Sequence, residues 1–268
     1  MTGRRSAIVT GGSRGIGRAV AVQLAADGYN IAFCYPSGTE VATETERLVH
    51  DVGRQAFHAP CDVADQDDVD RFVQKATTSL GPVSVLVNSA GIVLNNAAVV
   101  PPLEEKGAVI DTNLGGTFNL CRSLAPGFMA RRDGVIVNMS SVADASDDTD
   151  GWARCSASNA GIQGMSTALA QEVARYGVRV NMVAPGYVDA KMAGGLPENS
   201  PPIPLSTIPL RRYGHCNEVA TLVSFIVSDR AAAITGKVIH TACGAPWVRS
   251  VNGRHRRLRY TPRDGADG

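Results

Sequence analysis

Short apolar runs alternate along this chain with segments whose apolar residues recur every three or four positions. Ala7, Ile8 and Val9 form a run of the length of a strand buried on both faces. The run breaks into Gly11, Gly12, Ser13 and Gly15, then resumes as Ile16, Val20 and Leu24. That i, i+4, i+8 stripe is the buried face of a helix ending near Asp27 and Gly28. The same reading predicts strands over 30–34, 55–59, 83–87, 134–138, 178–183 and 237–241. It predicts helices over 41–52, 67–80, about 104–131, about 155–176 and 218–228, with Pro126 as the expected bend in the longest. The proline-rich stretch 197–209 is long for a connector and reads as a lid or binding loop. Strands alternating with helices imply an α/β fold: one doubly wound parallel sheet with helices on both faces. Right-handed crossovers then place a ligand at the carboxyl ends of the strands, near the reversal of strand order.

The first strand, glycine turn and helix together make an anion site, because glycines admit close backbone approach and the helix N-terminus adds partial positive charge. A tight turn with no ligand is the other reading of that segment. With 268 residues, 44% hydrophobic and 19% charged, the chain suits one large folded domain over 1–245. No apolar run is of membrane-spanning length, no signal-peptide pattern is visible, and a net charge of +1 gives no general field for nucleic acid. Cys34, Cys61, Cys121, Cys155, Cys216 and Cys243 lack metal-ligand spacing; they read mostly as core thiols of a reduced, cytoplasmic protein with no metal. The end, 246–268, carries six arginines against two aspartates. A disordered, solvated tail is preferred there over an electrostatic contact with a partner or nucleic acid.

The chain resembles the short-chain dehydrogenase/reductase family, nearest to its ketoacyl-carrier-protein reductases, over about 4–245. The resemblance rests on ordered motifs: Thr10 to Gly17, Cys61-Asp62-Val63, Asn88-Ser89-Ala90-Gly91, Asn113, and Asn138 to Ser141. Val178 to Asn181, Ala184-Pro185-Gly186 and Ile234-Thr235-Gly236 continue it. It implies a Rossmann-type fold with Gly11, Ser13, Gly15, Ile16 and Gly17 around a pyrophosphate and Asp62 with Val63 at the adenine. Asn88, Ala90 and Gly91 would flank the ribose and nicotinamide, and Pro185, Gly186 and Val188 would complete the site. The second strand ends in Cys34-Tyr35-Pro36-Ser37, without the carboxylate that selects NAD and repels a 2′-phosphate. Arg14 can pair with such a phosphate, so NADP(H) is expected over NAD(H); a solvated surface arginine is the alternative.

The family's chemistry uses a tyrosine with a lysine four residues on, whose cation lowers the phenol's pKa. Asn113 and Ser141 match the family's asparagine and serine, but the tyrosine position is Cys155 and the lysine position Asn159. No Tyr-x-x-x-Lys occurs anywhere in the chain, and the threonine expected to bond the nicotinamide falls at Ala190. The loop 144–152 holds four aspartates in nine residues, unusually acidic for a loop over substrate. Losing a positioned general acid costs roughly 10²–10⁴-fold in rate. Cys155 is read as an inert small residue ahead of a proton donor or nucleophile, and Tyr187 as packing ahead of a substitute phenol. Arg154 occupies another part of the helix face.

Two function classes follow. One is an NADP-dependent oxidoreductase on a ketone or secondary alcohol, free or carrier-protein-bound, by a modified mechanism. The other is a catalytically silent subunit paired with an active relative. A homodimer, homotetramer or heteromer is implied, and a non-redox reaction is the third and least supported reading.

Overall fold

The computed structural model describes residues 5–93, 107–142, 153–189 and 205–244. Its centre is a seven-stranded sheet in the order β3-β2-β1-β4-β5-β6-β7. The strands are β1 (Ser6–Thr10), β2 (Asn30–Tyr35), β3 (Ala56–Pro60), β4 (Val83–Asn88), β5 (Gly134–Met139), β6 (Val178–Pro185) and β7 (Val238–Thr241). Every neighbouring pair is parallel. Order reverses between β1 and β4, which sit side by side, so the crevice of a doubly wound sheet opens above them.

The helices are α1 (Gly15–Ala26), α2 (Thr39–Asp51), α3 (Gln66–Leu80), α4 (Gly116–Arg131), α5 (Ala153–Val173) and α6 (Cys216–Val227). Strand alternation sorts the core into two layers. Ala7, Val9, Ile31 and Phe33 meet Val20, Leu24, Val223 and Ile226 of α1 and α6 on one face. Ile8, Leu86, Ile136 and Val180 meet Phe72, Leu120, Phe128 and Val173 of α3, α4 and α5 on the other. The sheet is thus covered on both faces, which is why its strands read as unbroken apolar runs.

The long helix expected over 104–131 is corrected in one respect. Residues 94–106 lie outside the described ones, and Ile110–Gly115 is a π-helical turn leading into α4. Pro126 lies inside α4, which runs on to Arg131. Among the described residues no helix is long and apolar enough to cross a membrane.

A polar chain threads the otherwise apolar centre. Asn88 Nδ2 donates to Asn138 Oδ1 at 2.8 Å, and Asn138 Nδ2 donates to Ser166 Oγ at 2.8 Å, joining β4, β5 and α5. Asn138 and Ser166 are fully buried, so neither can fall back on water. Asn138→Ala strands a donor on Asn88 and the Ser166 hydroxyl, and is expected to cost about 2–3 kcal/mol in urea unfolding. A loss below about 0.5 kcal/mol would mean the chain is replaceable by packing.

Candidate functional site

The turn after β1 is shaped by what cannot fit beside it. Gly11 has φ +65°, and a Cβ there would stand 3.0 Å from Ala90 Cα. A Cβ on Gly17 would run into the Gly11 carbonyl, so the start of α1 packs directly on the turn. Arg14 precedes α1 in extended conformation, and no side chain caps the helix. The first amides of α1 therefore remain available to an anion at the crevice.

Thr10 holds the other wall. Its Oγ1 accepts from the Ser89 and Ala90 amides, each at 2.9 Å, tying the end of β1 to the loop after β4. Asn88 is buried beneath that loop, and its Oδ1 is enclosed with no hydrogen-bond partner. Nearby, burial pushes the Cys121 thiol up to about 12, while its contacts with Asn138 and Asn88 oppose that shift. Cys121 stays a protonated core thiol at neutral pH.

After β3, Val63 is buried against α4, where a Cβ on Gly116 would meet it at 2.5 Å. Asp62 is exposed; its Oδ1 accepts from the Ala64 amide at 2.9 Å and its own amide donates to Asp68 at 2.8 Å. Beyond β2 the backbone turns outward at Pro36 and Ser37, and that turn presents no acid. The exposed Arg14 makes no ion pair with a described carboxylate.

Toward the sheet's other half, Asn113 sits on the π turn. Its Oδ1 accepts from the Ile92 amide at 2.8 Å and its Nδ2 donates to the Ile92 carbonyl at 3.1 Å. The same amide reaches Ser158 Oγ at 3.5 Å, and Ser158 donates to the Cys155 carbonyl at 2.9 Å. Asn113 thereby clips the Gly91–Ile92 loop to α5. Ser141 follows β5 and is half-buried; its neighbour Ser140 receives Gln163 Nε2 at 3.3 Å. Cys155, Asn159 and Gln163 fall at i, i+4, i+8 on α5, with Cys155 only 3% exposed and Asn159 half-buried. The residue four on from Cys155 is thus an asparagine rather than a lysine.

Pro185 closes β6, the Gly186 amide donates to the Thr241 carbonyl at 3.0 Å, and Val188 bridges Gly214. Tyr187 is half-buried and its carbonyl accepts from the Gly214 amide at 2.8 Å, so its backbone fastens this loop. Ala190, the acidic loop 144–152, and 197–204 of the proline-rich stretch lie outside the described residues, as does 245–268. No group of three potential metal ligands occurs among the described residues.

The sequence reading therefore located the glycine turn, the loop after β4, Asn113 and α5, and the fold gathers them at one end of the sheet. Thr10, Ser158 and Gln163 were missed as connecting residues. A hydroxyl at the end of the first strand was the one available signal; the other two depend on pairings across tens of residues.

A family model described as enoyl-(acyl carrier protein) reductase matches residues 11–245. The chain is 39% identical over 240 residues to the 3-oxoacyl-[acyl-carrier-protein] reductase FabG of Staphylococcus aureus, covering 90% of this chain and 97% of the relative. It is 36% identical over 235 residues to the protein of the same name in Chlamydia trachomatis, covering 88% and 94%. A solved structure assigned as a short-chain alcohol dehydrogenase of Sinorhizobium meliloti superposes with TM-score 0.83 at 32% identity, over 91% of this chain and 97% of that one.

The loop that carries Gly214 is braced by a two-point ion pair. Arg212 donates to both Glu218 oxygens at 2.7 and 2.8 Å, and the His215 amide donates to Oε2 at 2.8 Å. The Arg212 guanidinium, then the amide, hold the Glu218 carboxyl at about 2, below the ordinary 4.5. A depressed carboxylate contributes stability above the unfolded value that is lost as pH falls through the folded one. Acid titration of unfolding should therefore show a decline between pH 4.5 and 2 that Glu218→Gln flattens, modest and salt-sensitive because the pair is exposed.

Proposed function

This chain belongs to the short-chain dehydrogenase/reductase family, and on that premise we propose that it is an NADP(H)-binding oxidoreductase of a ketone or secondary alcohol, working without the family's tyrosine and lysine. The observation that carries the reading is the backbone cradle. Gly11 and Gly17 stand where a Cβ would collide, and α1 begins without a side-chain cap, a fit for a pyrophosphate. Gly15, Ser13 and Ile16 complete that turn, with Asp62 and Val63 at the adenine and Asn88, Ala90 and Gly91 at the ribose and nicotinamide. Pro185, Gly186 and Val188 close the nicotinamide side. The missing acid after β2 and the unpaired Arg14 favour the 2′-phosphorylated form.

The bound dinucleotide would supply or accept a hydride. The protein's part is to orient and polarise. Ser141 donates its hydroxyl to the substrate carbonyl, and Asn113 fixes the loop beneath it through Ile92. Cys155 is shorter than a tyrosine, so a water in the remaining space delivers the proton, with the thiol as its neighbour. Two relatives named as 3-oxoacyl-[acyl-carrier-protein] reductases support a carbonyl on a carrier protein or small molecule as the substrate class. The family model's description names an enoyl reductase, and the retained serine favours the carbonyl. An exposed Phe118 on α4 supports association into a homodimer or tetramer, and the thiol-rich core supports a cytoplasmic setting.

A second reading, a silent subunit paired with an active reductase, is favoured by one observation. The residue in the tyrosine position, Cys155, is packed at 3% exposure and has no lysine beside it on its helix face.

Nicotinamide fluorescence during NADPH titration of the purified chain tests the cradle, with Gly15→Asp as the blocked control. The expected outcome is saturable binding that the control loses. Ser141→Ala should then lower turnover of a 3-oxoacyl thioester by about 10²–10³-fold with binding retained. Binding without turnover by the isolated chain, and turnover on mixing with an active relative, would favour the silent subunit.

A further inference from the structure

One arginine outside the assigned set, Arg18, is tied into the glycine turn by several hydrogen bonds. Arg18 Nη2 donates to the Ser13 carbonyl at 2.6 Å and to the Val41 carbonyl at 2.9 Å. Its Nε donates to the Ser13 carbonyl and to Thr45 Oγ1, both at 3.0 Å. Thr45 is fully buried and its hydroxyl also donates to the Ser13 carbonyl, at 3.2 Å. One carbonyl of the turn thus accepts three bonds, and one planar guanidinium joins the turn, α1 and α2.

The charge of that guanidinium is not cancelled. Among the described residues Arg18 forms no ion pair. Glu44, the carboxylate within its electrostatic reach, is held by Arg47 at 2.9 and 3.0 Å. Arg18 also lies four residues after Arg14, and its amide donates to the Arg14 carbonyl at 3.1 Å, so a backbone bond of the first turn of α1 joins the two residues. Fixing the Ser13 carbonyl fixes the peptide plane from which Arg14 departs. The outward turn at Pro36 and Ser37 adds no acid to this corner.

We infer that Arg18 is a positioning residue for recognition of the 2′-phosphate. It locks Ser13 against α2 so that Arg14 is presented to that phosphate, and adds its own uncancelled charge behind it. This rests on the NADP(H) reading above. A residue that merely held α1 to α2 would influence NADPH and NADH alike, whereas a 2′-phosphate reader influences only NADPH.

The test is a fluorescence titration of the full-length chain with NADPH and with NADH, for wild type, Arg18→Met, Arg18→Lys and Thr45→Val. Arg18→Met should weaken NADPH by about tenfold or more and leave NADH within about twofold, since charge-assisted bonds are the stronger class. Arg18→Lys should recover only part of the loss, because an ammonium cannot span the carbonyls as a planar fork does. Thr45→Val removes two bonds, one from Arg18 Nε and one to the Ser13 carbonyl, with little change in shape, and should lower NADPH affinity less, in the same direction. Equal loss for both dinucleotides, or an unchanged NADPH affinity in both Arg18→Met and Thr45→Val, overturns the positioning role while leaving NADP(H) binding intact. A wild type that binds neither dinucleotide overturns the cofactor reading itself and this inference with it.

Discussion

The close approach of two backbones at the reversal of strand order governs the rest of this structure. The turn after β1 and the loop after β4 come so near that a Cβ on Gly11 would press on Ala90. Thr10 converts the proximity into two hydrogen bonds by accepting from both amides of that loop. Neither contact survives unless β1 and β4 are adjacent and parallel, so the local turn depends on a pairing between segments some 80 residues apart. The crevice above them follows, along with the direction in which α1 leaves it. Beneath, Asn88 and Asn138 carry the same constraint sideways to β5 and α5.

Polar groups along this crevice divide by purpose. Thr10, Asn113, Arg18 and Thr45 are spent on backbone carbonyls and amides, so they hold loops in register. An arginine bonded to carbonyls keeps its charge, whereas one bonded to a carboxylate loses most of its field. Arg18 is of the first kind and Arg212, bound to both Glu218 oxygens, of the second. A chain with a net charge of +1 can thereby concentrate positive potential at one corner of a loop without a basic surface.

The strands were legible because both faces of the sheet are covered, and a doubly covered strand cannot hide a polar residue cheaply. Their ends were less so. Apolar content suggested that the sixth stopped at 183, yet β6 runs to Pro185 because β7 pairs with it that far. The π turn over Ile110–Gly115 had no signal in the apolar period, since none of its residues is buried and so none marks a face. In the site, the glycines were readable from their own turn chemistry. The partners of Asn113 and Arg18 were not, because Ile92 and Thr45 reach them only once separate elements have packed.

That difference bears on how the family's chemistry could be lost while its architecture stayed. The proposed dinucleotide cradle is built from backbone: positive φ at Gly11 and Gly15, excluded Cβ positions, and helix amides without a side-chain cap. A larger side chain at Gly11 or Gly17 disturbs packing, so at those two positions cradle and fold stand or fall together. On the proposed reading the family's proton-delivering pair would be side chains on one helix face, with Cys155 and Asn159 in their place without breaking α5. Smaller residues in those two places leave the helix and its bond to Asn113 through Ser158 in place. The structural cost of exchanging them is low and the chemical cost is high. Retention of the cradle thus speaks for dinucleotide binding, and catalysis rests on the side chains around it. Arg14 and Ser141 are more informative, because the turn and strand that carry them would fold without either.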